Sequence, residues 1–368
     1  MEMSCDTVWN YTLEPSLALE DIYSTFDTVA ITILMPLLLF FGILGNLAFL
    51  LMLYRVPRMR SLTNFYLANL AASDIAFLLF AISKRIHDYR IGSVNFSPAH
   101  NGVLSCFIQY LVVDLSYFAS LFVISLVSVE KFYAICRPMR HRVISRWDRT
   151  IKLTVCSWIV SLGFATTVIP SYCSIGYVCI IWPGGGEYDH LPGRFAYCAP
   201  AADWAVPYAN ALQTAPFFIA LVLNTTAYTL IVKQLTQRVN RPHGPQAVVP
   251  FPDQAIKLRD QVAKMLVVKG TAFFLLLAPF EIVSILLSVN ALSYSQRMVA
   301  LQICRLFSYL NSAINPLIFG MVSSKYRHAY REAFLPARGN RVGLEPTPAH
   351  SQDNRSATHQ IPASQSSS

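Results

Sequence analysis

Seven runs of mostly apolar residues alternate with short polar connections along the chain: Val29–Leu53, Asn64–Ser83, Leu104–Val129, Leu153–Ile169, Tyr208–Val232, Leu266–Asn290 and Met298–Met321. A helix needs about 20 apolar residues to cross a hydrocarbon core of roughly 30 Å, and every run is close to that length. The pattern predicts an all-α membrane protein, a seven-helix bundle. The fourth run is short and the second carries an acid, Asp74. Between the fifth and sixth runs, "NRPHGPQAVVPFPD" is Pro-rich and predicts a flexible loop, with helix resuming near Gln254 in a basic amphipathic stem, "IKLRDQVAKMLVVK". After the seventh run, "SSKYRHAYREAFL" spaces Tyr326, Tyr330 and Phe334 four apart with Lys325, Arg327 and Arg331 between them. That spacing predicts a helix lying on the membrane surface. The chain therefore divides into an N-terminal segment 1–28, a membrane domain 29–321, a surface helix 322–335 and a Ser-, Pro- and Gln-rich tail 336–368, expected to be disordered.

Composition agrees: 54% of the 368 residues are hydrophobic and 13% charged, against roughly 25% charged in a soluble domain. Residues 1–28 hold six acids and no Lys or Arg. The first connection carries Arg55, Arg58 and Arg60, and the third runs from Lys131 through Arg137, Arg140, Arg142, Arg146 and Arg149 to Lys152. Basic residues gather on the cytoplasmic side, so the N-terminus is expected outside and the C-terminus inside. The net charge of +9 then reflects that bias and attraction to anionic lipid heads, with no need for nucleic acid. An apolar h-region is missing before Asp27, so the first span is expected to act as its own insertion signal. Outer glycosylation sequons start at Asn10 and at Asn95, the second followed by Pro98. No paired carboxylates, nucleophile–base set or phosphate loop appears, and no enzyme is expected.

The spans carry one marked residue or motif each, in order: Gly45-Asn46 in the first, "NLAASD" with Asp74 in the second, Cys106 and "EKF" at the two ends of the third, and Trp158 in the fourth. Pro216 lies in the fifth, "FFLLLAPF" with Pro279 in the sixth and "NSAINPLIF" with Asn311, Asn315 and Pro316 in the seventh. Over roughly Val29 to Leu335 this set resembles the rhodopsin-like G-protein-coupled receptors, and "MRSLTNFYLANLAASD" and "EKFYAIC" look like the neuropeptide branch.

The resemblance implies a switch, and this chain departs from it. "EKF" (Glu130, Lys131, Phe132) stands where the family has Asp/Glu-Arg-Tyr. The family's Arg pairs with the acid at rest and meets the G protein on activation. Lys131 keeps the charge and loses the planar five-donor fork. Asn224 replaces a Tyr eight residues after Pro216, Phe319 replaces the closing Tyr of the span 7 motif, and Leu277 replaces a Trp two residues before Pro279; Phe273 matches. Prolines 36, 216, 279 and 316 lie inside spans and bend helices. Those at 279 and 316 are expected to be hinges.

Intramembrane polar groups are costly and usually functional. Asn46, Asp74, Ser120, Asn311, Ser312 and Asn315 match the positions that surround an allosteric sodium ion in the family, and a structural water network around Asp74 is the other reading. Cys106 is expected to pair with a cysteine of loop 170–206, where Cys173, Cys179 and Cys198 compete and Cys198 suits the family spacing best. "YVCIIW" and "RFAYC" flank a Gly-rich turn and predict a hairpin with Cys198 on its second strand. Aminergic and opsin ligands are disfavoured, since Val113 and Tyr309 stand at their key positions. Asp114 and Glu281 are expected to face an outer cavity with Arg85, Gln109, Tyr117, Phe280, Gln302 and Arg305. Two roles stay open for them: internal bridges to Arg305, or contacts to a peptide. The expected function is a plasma-membrane receptor for an extracellular peptide that activates a heterotrimeric G protein, with arrestin and receptor kinases reading tail residues such as Thr347, Ser351 and Ser356. An atypical receptor that internalises ligand, and a transporter or channel, are the rivals.

Overall fold

A computed structural model describes residues 5–92, 94, 99, 102–186, 188–239, 253–289 and 291–335. The Asn95 sequon, the Pro-rich loop over 240–252 and the tail from residue 336 lie outside the described residues.

Helices occupy all seven predicted runs. After a strand β1 (Thr7–Asn10) and a short helix α1 (Pro15–Asp21) come α2 (Thr25–Arg55), α3 (Leu62–Ile91), α4 (Val103–Cys136), α5 (Pro138–Ile144) and α6 (Trp147–Val168), then α7 (Ala205–Val239), α8 (Asp253–Ser288), α9 (Tyr294–Ala313), α10 (Asn315–Val322) and α11 (Ser324–Phe334). Most helices outrun the apolar stretch that predicted them, because backbone hydrogen bonding continues through polar ends that hydropathy does not count. Their starts are chemically marked. Ser24 and Asp27 form a capping box at α2, Ser61 caps α3, and Ser293 with Gln296 caps α9. In α2 a wide turn over Ala30–Leu34, where the Met35 N–H reaches the Ala30 carbonyl, directly precedes Pro36. A proline removes the hydrogen bond that such a turn can spare.

Among the described residues six helices are long and apolar enough to cross a membrane. The seventh run is split into α9 and α10 at Ile314, with Pro316 in the first turn of α10, where its missing N–H costs nothing. The bundle centres on α4, which packs against α3, α6, α7 and α8. Its Leu121, Ile124 and Val127 join Phe217 of α7 and Phe273 of α8 in the main apolar core. The outer face of α2 exposes Leu37, Phe40, Phe41 and Leu44, as a lipid-facing surface should. Cys304 is buried, Cys136 is half-buried and packs against an apolar cluster with Ile135 and Ile231, and Cys156 is exposed.

The predicted hairpin forms as β2 (Ser174–Ile181) and β3 (Arg194–Ala199), with Ile175 opposite Cys198. A third strand was not expected. β1 adds to the free edge of β2 in parallel, Thr7 opposite Val178, and Cys5 is disulfide-bonded to Cys179. Trp9 and Tyr11 pack on Val178, Ile180 and Phe195. The described residues all fall within one unit, Met1–Leu335.

Candidate functional site

At the end of the bundle that carries the disulfides, a cavity of about 440 Å³ opens between α3, α4, α7, α8 and α9. Cys106, at the start of α4, is bonded to Cys198 of β3, which fixes the hairpin against the cavity wall. Arg85, Gln109, Asp114, Tyr117, Phe280 and Arg305 line it, as do Lys84, Tyr172 and Gln213. Leu277 lines it too, two residues before Pro279.

Two of the expected cavity residues stand behind the wall. Glu281 is 0% exposed and accepts hydrogen bonds from the Tyr117 hydroxyl (2.6 Å) and the Thr214 hydroxyl (3.0 Å). This acid is consumed by helix packing between α4, α7 and α8. Gln302 is 1% exposed, and its carbonyl oxygen accepts from Arg85 (3.4 Å) and Arg305 (3.5 Å). It positions two guanidinium groups rather than meeting the cavity itself. Neither of the expected bridges, Glu281–Arg305 or Asp114–Arg305, forms among the described residues. Asp114 instead accepts from Gln213 (2.9 Å) and Tyr172 (3.4 Å), both neutral, and borders the cavity. Gln109 is tied to the Phe80 carbonyl at 2.7 Å.

Midway down the bundle, Asp74 receives a hydrogen bond from Asn315, with Ser312 of α9 close by. Asn46 donates to the backbone carbonyls of Gly42 (2.9 Å) and Ser312 (3.0 Å), and Ser120 shares a hydrogen bond with Ser73 at 2.9 Å. One residue that the sequence reading did not place here completes the cluster. Lys269 of α8 is 0% exposed, and its ammonium donates to Asn311 Oδ1 at 3.3 Å, lies 5.2 Å from the Phe273 ring centre and acts electrostatically on Asp74. The signal was available: Lys269 is four residues before Phe273, so both share the inward face of α8.

At the opposite end, Lys131 pairs with Glu130 at 3.4 Å and donates to the Thr63 hydroxyl at 2.5 Å, while Thr63 donates to Glu130 at 3.1 Å. His141 of α5 lies 3.6 Å from the same carboxylate. Phe132 packs beside Ile135 and Ile231. Asn224 is buried and donates to Ser125 (3.0 Å) and to the Ala220 carbonyl (2.7 Å). Phe319 is packed between Phe49 and Tyr326, with ring centres 5.1 and 5.6 Å away. One turn beyond Asn224, the Tyr228 hydroxyl shares a 2.6 Å hydrogen bond with Ser128. In α11, Tyr326 and Tyr330 face inward, and burial, with Lys131 and Arg58 nearby, lowers the pKa of Lys325.

The family described as "7 transmembrane receptor (rhodopsin family)" matches residues 45–319. The chain belongs to the rhodopsin family of seven-transmembrane receptors. It is 30% identical to the growth hormone secretagogue receptor type 1 of Sus scrofa over 346 residues, covering 88% of this chain and 86% of that protein. It is 24% identical to the neuromedin-U receptor 2 of Rattus norvegicus, with 84% and 76% covered, and 24% identical to the galanin receptor 2a of Danio rerio, with 86% and 81% covered. The receptor is a multi-pass membrane protein and not an enzyme.

A sodium ion at Asp74 is what the family leads one to look for, and this receptor's residues fit it poorly. A hard cation needs several free oxygens. Here Asn311 Oδ1 is taken by the Lys269 ammonium, and the Asp74 carboxylate already receives Asn315. Asn315 Oδ1 is left without a partner, and a positive charge, the Lys269 ammonium, already lies in the cluster.

Proposed function

We propose that the receptor binds an extracellular peptide in the cavity between α3, α4, α7, α8 and α9 and activates a heterotrimeric G protein at the opposite end, at the plasma membrane. The observation that carries the ligand class is the division of charge on the cavity wall. Asp114 faces the cavity with neutral partners only, and Arg305 on α9 is bonded to neutral Gln302. Buried charges call for counter-charges. A ligand that supplies both is a peptide presenting a basic group to Asp114 and a carboxylate to Arg305. The relatives' names agree, being those of receptors for neuromedin-U, galanin and a growth hormone secretagogue.

In this reading α9 and α10 together make the seventh crossing, α11 lies along the inner membrane surface, the N-terminus is outside and the C-terminus cytoplasmic. The asymmetry of basic residues supports that orientation. Ligand binding selects a state in which the inner half of α8 swings outward, exposing Lys131 to the G protein. Tail Ser and Thr residues are then available to receptor kinases and arrestin.

A second reading has a specific motive. Lys131, Asn224, Leu277 and Phe319 each depart from the family's switch residues, which suits a receptor that takes up ligand with little G-protein activation. A peptide-library screen on intact cells, reading G-protein dissociation and arrestin recruitment in the same wells, separates the two. Dissociation by a peptide with both charges supports the first reading. Arrestin recruitment alone supports the second.

A further inference from the structure

We propose that Lys269 is a tethered cation that replaces sodium in the core of this receptor and latches α8 to α3 and α9 in the resting state. The site belongs to a charge that cannot be left alone. A buried ammonium needs a counter-charge and acceptors for its donors. Lys269, with no exposed surface, donates to Asn311 Oδ1 at 3.3 Å, and the buried carboxylate of Asp74, too far for a direct ion pair, is the acid that acts on it electrostatically. Asp74 lies equally deep, at 1% exposure. The face of the Phe273 ring supplies a further favourable contact to the ammonium. A second cation entering this cluster would meet the repulsion of a buried ammonium and would find Asn311 Oδ1 already engaged.

The tether changes what the cation can do. A free ion equilibrates with the solution, so its effect depends on its concentration. The Lys269 ammonium moves only with α8, whereas Asp74 is fixed on α3 and Asn311 on α9. Outward movement of α8, the motion on which the signalling half of this proposal rests, withdraws the charge from Asp74. The latch is thereby set by helix position and is indifferent to the surrounding salt.

The test is thermal unfolding of the purified full-length receptor in sodium chloride and in choline chloride at matched ionic strength. Wild type is expected to melt within about 1 °C in the two salts, because an ion that does not bind adds no linkage term. Lys269→Met is expected to melt higher in sodium than in choline, and Lys269→Met/Asp74→Asn to lose that difference. A wild-type receptor that melts several degrees higher in sodium overturns the proposal whether or not the variants fold. A folded Lys269→Met that ignores sodium overturns it too. In cells, Lys269→Met is expected to raise basal G-protein dissociation by about fivefold or more, the lower end of typical coupling between sites. If the salt results hold and basal signalling stays flat, the latch is overturned where a peptide agonist still drives G-protein dissociation, and the G-protein reading fails where no agonist does.

Discussion

The Tyr228 hydroxyl occupies the space that a side chain on Gly270 would need: a Cβ there would stand 1.7 Å from the oxygen. The same hydroxyl holds Ser128 on α4. Gly270 therefore lets α7, α8 and α4 meet at a tyrosine one turn from Asn224, where the family's own tyrosine is absent.

Gly270→Ala should displace the Tyr228 ring, break the Ser128 contact and lower stability by about 1–3 kcal/mol, the usual range for overpacking. The strain should depend on the tyrosine. In a Tyr228→Ala background the same Gly270→Ala change should be nearly neutral, and a double-mutant cycle on thermal unfolding should show strong coupling. Additive effects would mean that α8 accommodates the methyl elsewhere.

Asp114 and Glu281 look alike in sequence, two acids near the outer cavity, and their variants should behave oppositely. Asp114→Asn keeps an oxygen for Gln213 and Tyr172 but removes the charge facing the cavity. Potency of a peptide bearing a basic group should fall by about tenfold or more, since each factor of ten is about 1.4 kcal/mol, with little change in melting temperature. Glu281→Gln puts an amide against the Thr214 hydroxyl and disturbs a buried pairing. It should cost about 1–3 kcal/mol of stability. Dose–response curves and melting curves on the two variants check the split, and a large potency loss in both at unchanged stability would place Glu281 in the binding site after all.

The N-terminal strand is held twice, by its ladder to β2 and by Cys5–Cys179. An isolated edge strand of four residues is marginal on its own. Cys5→Ser should leave the bundle folded, with an unchanged main melting transition, but should make the segment before Thr25 much easier to cleave in limited proteolysis. Cys106→Ser, which loosens the hairpin against the cavity, should lower peptide potency as well.

How far the sequence reached can be traced residue by residue. Helix over all seven apolar runs, the hairpin and the positions of Asp74, Pro279 and Asn315 were legible, because hydropathy and motif order are written into contiguous residues. What stayed hidden depends on which face of a helix a residue takes. Lys269 closes a run of basic residues and reads as the last of a cytoplasmic stem, although its four-residue spacing from Phe273 turns it inward. Glu281 has the right height for the cavity and the wrong direction, because Tyr117 and Thr214 claim it first. β1, four residues long, is too short to show as a strand in the alternation of apolar and polar positions.

The inner switch makes the last prediction. In a family where an arginine fork is expected, Lys131 is a point charge with three donors, and Thr63 compensates for the lost fork: its hydroxyl accepts from Lys131 and donates to Glu130, closing a three-residue ring between α3 and α4. The pair is mostly sheltered, with side-chain exposures of 13% and 16%, so it is held more firmly than an open surface bridge. Thr63→Ala should release Lys131 from one of its two anchors. A lost hydrogen bond to a charged group is worth about 1.5–3 kcal/mol, enough to raise basal G-protein dissociation severalfold if the ring restrains the resting state. Thr63→Ser, which keeps the hydroxyl, should stay near wild type, while Lys131→Ala should remove the agonist response altogether. Basal dissociation left unchanged in Thr63→Ala, alongside a silent Lys131→Ala, would show that Lys131 contacts the G protein without being restrained by Thr63 beforehand.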